Sequence, residues 1–241
     1  RTHARFDQFF EGACVVTNAR TAEMCKLTEN SFRDVNIAFA NELSIICDEL
    51  GIDVWELTKL ANRHPRVNIL QSGPGVGGHC IAVDPWFIVS SAPQSARLIR
   101  TAREVNDFKP DWVLKKVKLA IAEYLTSNPE KTAAEVKIAC FGLAFKPDID
   151  DLRESPALKI AQEIAKIHPG ITLVVEPNID TLPEYLDGSM MLCELDDAVM
   201  NAHIHVLLVD HKQFKNVNRP SNGNVLDFKG IWVNGNGGAL Q

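Results

Sequence analysis

Val136-Lys137-Ile138-Ala139-Cys140-Phe141-Gly142-Leu143-Ala144-Phe145-Lys146-Pro147 is an apolar run that stops at a glycine and opens into a loop with one lysine. Val136–Phe141 has the length and content of a strand buried on both faces. Thr172–Val175 and Ile204–Val209 repeat the pattern, and shorter candidates lie near Val225 and Trp232. Between them, Pro156–Ile167, the stretch near Leu182–Leu186, and Asp196–Ala202 read as helices. Strands alternating with helices predict a mostly parallel sheet covered on both faces. Ligands in such sheets bind beyond the carboxyl ends of the strands, which is where Gly142–Pro147 falls. Lys146 can reach a diphosphate there and Phe145 can pack against a base or sugar. A loop lysine taken alone reads as a solvated surface residue.

The pattern differs on the N-terminal side. Thr126–Glu135 (TSNPEKTAAE) reads as a surface loop and a domain boundary. Gln94–Leu125 is strongly helical, with Pro110 giving a kink or two abutting helices. Before it, Gly73-Pro74-Gly75-Val76-Gly77-Gly78-His79-Cys80-Ile81-Ala82-Val83-Asp84-Pro85 sets four glycines ahead of a thiol, with a carboxylate four residues further on. Gly75, Gly77 and Gly78 leave the backbone bare enough to approach a sugar or an anion. Cys80 suits a nucleophile at a carbonyl, and Asp84 suits a group that handles water. The plainer alternative is a glycine loop ending in a structural cysteine. Asp84 can also simply cap a helix that begins at Pro85.

A long helix is expected from a Thr17 or Asn18 cap to about Leu50, stopped by Gly51. Met24, Leu27, Val35, Ala38, Ile45 and Ile46 keep approximate helical spacing as its apolar face. Lys26, Asn30 and Arg33 form a polar stripe, which by residue type alone reads as a solvated face. Asp53 and Glu56 open a second, short helix ending near Arg63.

Composition bounds the rest. The 241 residues suffice for one large or two modest domains, and 46% hydrophobic with 23% charged residues is ordinary for a soluble chain. A formal charge of −6 argues against a nucleic-acid or anionic-membrane surface, so any phosphate site must be built locally. Six cysteines without a CxxC pair point to reduced thiols and a cytoplasmic protein, with Cys140 in the core. No apolar run approaches the ~20 residues that span a bilayer. His203 and His205 share a strand face without an acidic or cysteine partner in sequence, so no metal site is expected. Val233 to Gly238 reads as part of a disordered or appended tail. No GxGxxG fingerprint follows a strand near the start.

GPGVGGHCIAVDPWFIV resembles the catalytic loop of the UDP-glucose/GDP-mannose dehydrogenase family, the nucleotide-sugar 6-dehydrogenases. Its His-Cys-Ile-x-Val-Asp-Pro form is similar to members acting on UDP-N-acetylhexosamines. Gly142–Pro147 followed by Asp151-Leu152-Arg153-Glu154-Ser155-Pro156 resembles the family's second signature. The resemblance implies an NAD-dependent, four-electron oxidation of a sugar C6 hydroxyl to the uronate, through a thiohemiacetal and thioester on Cys80. It implies catalytic roles for Lys26, Asn30 and Asp84, a UDP contact for Lys146, and a cofactor contact for Arg153. It matches Arg66 to an arginine reaching from a partner subunit to the substrate, a surface arginine being the alternative. The family often has arginine where Lys229 lies, which puts a substrate role for Lys229 in doubt.

The implied organisation is a remnant or linker over 1–16 to an NAD-binding domain in front. A helical central domain with the cysteine loop over 17–125 follows, then a linker over 126–135, a Rossmann-like UDP-sugar domain over 136–233 and a tail over 234–241. NAD would sit mainly in the preceding domain, and a homodimer would form through the 94–125 helix. The hexosamine epimer stays open, with UDP-N-acetylglucosamine and UDP-glucose as alternatives. Two other classes are weighed beside this one: a cysteine acyl-transfer hydrolase, disfavoured because His79 adjoins Cys80, and a non-catalytic nucleotide-sugar-binding or dimerisation module.

Overall fold

The computed structural model describes residues 14–186 and 188–232. Most of the expected remnant over 1–16 and the tail over 234–241 lie outside the described residues. The first half is helical. Helix α1 (Ala19–Leu50) starts where Asn18 Oδ1 accepts the Thr21 N–H and ends at Gly51, whose left-handed φ of 67° lets its N–H fold back on the last carbonyls. Helix α2 (Val54–Ala61) follows, capped by Asp53 at the Trp55 and Glu56 N–H groups. Helix α3 (Asp84–Ser91) leads to α4 (Arg97–Ser127), one continuous helix with Pro110 inside it.

The buried face of α1 keeps part of the apolar stripe the spacing suggests, with Ala38 buried and Ile45 packed on the core, but polar residues share it. Met24 and Ile46 are exposed, whereas Asp34, Asn41 and Ser44 are buried against α4 and Asn30 is buried against Asp84 of α3. The reason lies 65 to 72 residues away, where α4 supplies matching polar groups. Arg103 sits 2.7 Å from Asp34, Asn106 donates to Asp34 and accepts from Asn41, and Lys109 donates to Ser44 Oγ at 2.6 Å. Arg103 also pairs with Asp107 one turn on. Burial raises the Asp34 carboxyl above its ordinary range despite the Arg103 guanidinium.

The second half is a five-stranded, all-parallel sheet in the order β3-β2-β1-β4-β5. The strands are β1 (Ile138–Phe141), β2 (Thr172–Val175), β3 (Met191–Leu192), β4 (Ile204–Leu207) and β5 (Asn224–Asp227). Helices α5 (Pro156–Ile167), α6 (Leu195–Asn201) and α7 (Lys212–Lys215) lie between them. The helix expected near Leu182 is a single 3-10 turn, Glu184–Leu186. The strand expected near Trp232 is not formed at Ile231 or Trp232. Trp232 instead donates its backbone N–H to the Asp227 carboxylate at 2.6 Å and its indole N–H to the Phe214 carbonyl.

Alternate residues of each strand serve opposite faces, and both faces are buried. Ile138, Cys140, Val174 and Val206 pack with α5 and with Trp112, Val113 and Val117 of α4. Ala139, Phe141, Leu173 and Val175 pack with Ala198, Phe214 and Trp232. Helix α4 therefore belongs to both halves, giving its polar side to α1 and its apolar side to the sheet.

Lys109 tests this arrangement. It is 2% exposed, its ammonium lies 3.7 Å from the Trp112 ring centroid, and burial pushes its pKa down to about 7. Between that value and an unfolded value of about 10.4, the unfolded chain binds more protons, so Lys109 makes stability rise with pH. The buried Cys140 and half-buried Cys193 thiols, pushed up to about 12 and about 11, reverse the sign above pH ~8.5. Urea titrations from pH 7 to 8.5 should therefore show wild type gaining about 1 kcal/mol per pH unit over Lys109→Met. Parallel pH profiles for the two proteins would contradict the buried ammonium.

Candidate functional site

In a doubly wound sheet the loops diverge where strand order reverses, and a crevice opens there. Here that point lies between β1 and β4. The loop after β1 (Ala144, Phe145, Lys146), the loop after β4 (Leu208, Val209, Asp210) and Lys229 beyond β5 form one wall of a cleft of about 260 Å³. The glycine loop from Gly73 to Gly77 forms another wall, with Arg33 and Ile37 of α1.

The glycines meet a need beyond bare amides. A Cβ on Gly77 would fall 2.5 Å from the Glu154 carbonyl oxygen and 2.6 Å from Pro156 Cδ. Gly75, at φ 153°, sits against Pro156 and against Pro110 of α4. Gly78, at φ 87°, has Phe145 beneath it. The loop is thus pressed between the helical half and the sheet half. Its first N–H, at Gly73, donates to Asn41 Oδ1 at 2.9 Å.

Cys80 follows on an exposed turn closed by the Asp84 N–H donating to the Cys80 carbonyl at 2.8 Å. The expected capping role of Asp84 is not seen. Asp84 is the first residue of α3, no side chain caps that helix, and the carboxylate instead accepts the Asn30 Nδ2–H at 2.5 Å. Two residues 54 apart in sequence therefore meet one short turn after Cys80, and Asn30 is buried there.

Lys26 lies one turn before Asn30 on the same helix face, exposed, its ammonium 3.6 Å from Glu29. Arg66 is exposed outside the cleft, its N–H on His64 Nδ1. Arg153 is also outside, forked onto Asp151 at 2.9 and 2.7 Å, an arrangement whose hydrogen bonds hold the Asp151 carboxyl well below its usual range. Lys146 lines the cleft with its ammonium 5.5 Å from the Phe145 ring centroid.

Lys229, doubted from the sequence, lies in the cleft wall 3.1 Å from Asp210. Burial favours a raised Asp210 pKa, but Lys229 and Lys215 more than offset it and hold the carboxyl below its ordinary value. Arg33 and Asp210 were not singled out as site residues. Asp210 and Lys229 both follow strand ends, and Arg33 is three residues past Asn30 on one helix face, so strand-end and helix-face rules could have found them.

Gly77→Ala should cost about 2–3 kcal/mol, because the Glu154 backbone and the Pro156 ring cannot yield freely. Gly73→Ala, whose Cβ would meet only the Lys229 ammonium at 3.6 Å, should stay within about 0.5 kcal/mol. Equal melting temperatures for the two variants would refute the weld described for this loop.

Two family models match the chain. The central domain of the UDP-glucose/GDP-mannose dehydrogenase family matches residues 20–108, and the UDP binding domain of that family matches residues 139–234. A UDP-N-acetyl-D-mannosamine dehydrogenase of Salmonella typhi is 67% identical over 234 residues, covering 96% of this chain and 56% of that protein. An NDP-N-acetyl-D-galactosaminuronic acid dehydrogenase of Ralstonia nicotianae is 60% identical over 229 residues, covering 94% and 52%. Among solved structures, the UDP-D-ManNAc dehydrogenase of Pyrococcus horikoshii superposes with a TM-score of 0.81 at 34% identity, covering 98% of this chain and 54% of that one. The chain spans about half the length of these relatives. With two domain models of one family in order along it and that fold in common, the chain belongs to the UDP-glucose/GDP-mannose dehydrogenase family.

Proposed function

We propose that this chain carries the nucleophile and the UDP-sugar site for the oxidation of UDP-N-acetyl-D-mannosamine at C6 to the uronate. The observation that carries the reading is the Asn30–Asp84 hydrogen bond, four residues from Cys80, whose chain neighbour Ile81 lines the same cleft as Lys146. The relatives named for this activity support the substrate.

NAD is the hydride acceptor in this reading. The described residues do not fit a dinucleotide. The acid at the end of β2, Glu176, is 3% exposed and accepts the Leu143 and Ala144 N–H groups, so it cannot take a ribose hydroxyl. We therefore assign NAD to the length its relatives have beyond the matched half, and activity to the longer protein. Arg153, exposed and outside the cleft, keeps its proposed role as a contact to that cofactor.

The chemistry of this chain begins once the alcohol has become an aldehyde. Cys80 Sγ adds to the aldehyde carbon, forming a C–S bond and a thiohemiacetal whose oxygen develops negative charge. Lys26 and Asn30 favour that charge. Oxidation to the thioester leaves an electrophile that water can attack. Asp84, held by Asn30, orients the water and takes its proton, and the C–S bond breaks to return the thiol. Gly75, Gly77, Gly78 and Phe145 shape the sugar end of the site, while Lys146 holds the diphosphate. Residues 94–125 would form a homodimer interface, where Leu98, Phe108 and Leu119 are exposed, and Arg66 would act across it. No helix among the described residues is long and apolar enough to cross a membrane, and a cytoplasmic site is proposed.

In the protein extended to the length of its relatives, Cys80→Ser should stop uronate formation while still allowing slow aldehyde formation. Asn30→Ala should lower kcat about a hundredfold with a smaller change in KM, because the amide serves a developing charge. Wild-type uronate production by Cys80→Ala, measured by mass spectrometry, would end this mechanism.

A further inference from the structure

The loop that presents Phe145 and Lys146 is held from beneath by two buried ionisable side chains that the proposed chemistry does not use. Glu176 follows β2 and His211 precedes α7, with side chains fully buried. Glu176 Oε2 accepts the Leu143 N–H at 2.7 Å and the Ala144 N–H at 3.0 Å, and lies 3.1 Å from His211 Nε2. Its other oxygen accepts from the Asn178 amide at 3.0 Å. His211 Nδ1 accepts the Asp148 N–H at 2.9 Å, with the Asn178 amide at 3.1 Å. A nitrogen that accepts a backbone N–H carries no proton, so the imidazole is neutral with its hydrogen on Nε2, donated to Glu176.

Both ends of the loop are therefore anchored. Leu143 and Ala144 at its start hang on Glu176. Asp148 at its end hangs on His211, and its carboxylate takes the Lys212 N–H at 3.0 Å. Asp148 adopts a left-handed φ of 62°, a conformation a non-glycine residue holds only when its surroundings enforce it. Phe145, Lys146 and Pro147 span the gap between these anchors and line the cleft, with the Phe145 N–H donating to the Asp151 carbonyl at 3.2 Å. In a nucleotide-binding sheet the N–H groups after the first strand commonly face phosphate. Here two of them are occupied by a carboxylate of the same chain, which leaves the recognition of a diphosphate to side chains.

We infer that Glu176 and His211 are positioning residues that fix the loop so that the Lys146 side chain meets the diphosphate of a UDP-sugar. The inference rests on the UDP site proposed above. Burial alone would push the Glu176 carboxyl up, yet His211, the Leu143 amide and Asn178 hold it below its ordinary value, in keeping with an ionised group at this position.

The test is UDP binding by calorimetry on the 241-residue chain, arranged as a double-mutant cycle. Glu176→Gln is isosteric but replaces one acceptor oxygen with a donor, so UDP affinity should fall about tenfold. Lys146→Ala should weaken UDP by a similar factor or more. The double variant should bind within about twofold of Lys146→Ala alone, because a disordered loop has no lysine left to misplace. His211→Gln, which can still donate to Glu176 but offers Asp148 no acceptor at the Nδ1 position, repeats the cycle if Glu176→Gln does not fold. Wild-type affinity in the folded Glu176 and His211 variants, or losses that multiply in full with Lys146→Ala, would overturn the positioning role. Failure of the wild-type chain to bind UDP would overturn the function beneath it and this inference together.

Discussion

The buried ion pair between Asp34 and Arg103 constrains much of the structure. Each side chain is at most 2% exposed, at a helix contact where apolar residues would be the cheaper filling. Apolar helices can slide by a turn with modest loss. A seam of directional bonds from Asp34 and Asn41 to Arg103 and Asn106 admits one register, since any shift strands buried charge. That register places Asn30, one turn before Asp34, against Asp84. It also places Asn41 under the first amide of the glycine loop. The polar seam thus sets the coordinates of the site without touching a ligand.

The second constraint is the glycine loop, where helices and sheet meet at backbone distance. Pro110 of α4 and Pro156 of α5 close on Gly75 from two elements, and Phe145 closes on Gly78. Two rigid prolines and an aromatic ring leave no room for a Cβ, so loop and sheet hold their spacing as one body. The core behind them is continuous, with Trp112 of α4 meeting Phe228 edge-on at 5.8 Å. Cys80, on the end of this loop, keeps a fixed relation to the Lys146 loop, which would suit the proposed substrate, anchored at one and attacked at the other.

The sheet was legible in the sequence because parallel strands buried on both faces read as unbroken apolar runs. Thr172–Val175 and Pro156–Ile167 fall where the residues place them. Strand β3, two residues long, and helix α7, four residues long, are too short to carry a period and were missed. The inner face of α1 was only partly legible, for a different reason. Hydrophobicity stands in for burial only when burial is apolar, and the partners that make Asp34 and Asn41 inner residues come from α4. Asp84 was half legible: its place at the head of α3 follows from Pro85, but its bond to Asn30 is long-range. Glu176 showed no signal, being a lone acid after an apolar run whose loop partner lies more than thirty residues back.

Net charge gives a poor guide to this cleft. The chain carries −6 overall, yet a diphosphate responds to charges within about 8–10 Å at physiological salt. Within the lining stand Arg33, Lys146 and Lys229 against one carboxylate, Asp210. That carboxylate already engages Lys229 and Lys215, which fixes Lys229 in the wall at the cost of part of its field. Among the described residues Lys146 makes no such pair: its ammonium lies over the Phe145 ring and its exposure is high. The two lysines are therefore not equivalent. Lys229 is a braced, partly neutralised charge that shapes the wall. Lys146 is an exposed, uncompensated one, and its usefulness depends on how firmly the backbone beneath it is held. The acid that does the holding, Glu176, is buried and hydrogen-bonded on both oxygens, so its charge is spent on five donors and subtracts little from the field that Lys146 presents.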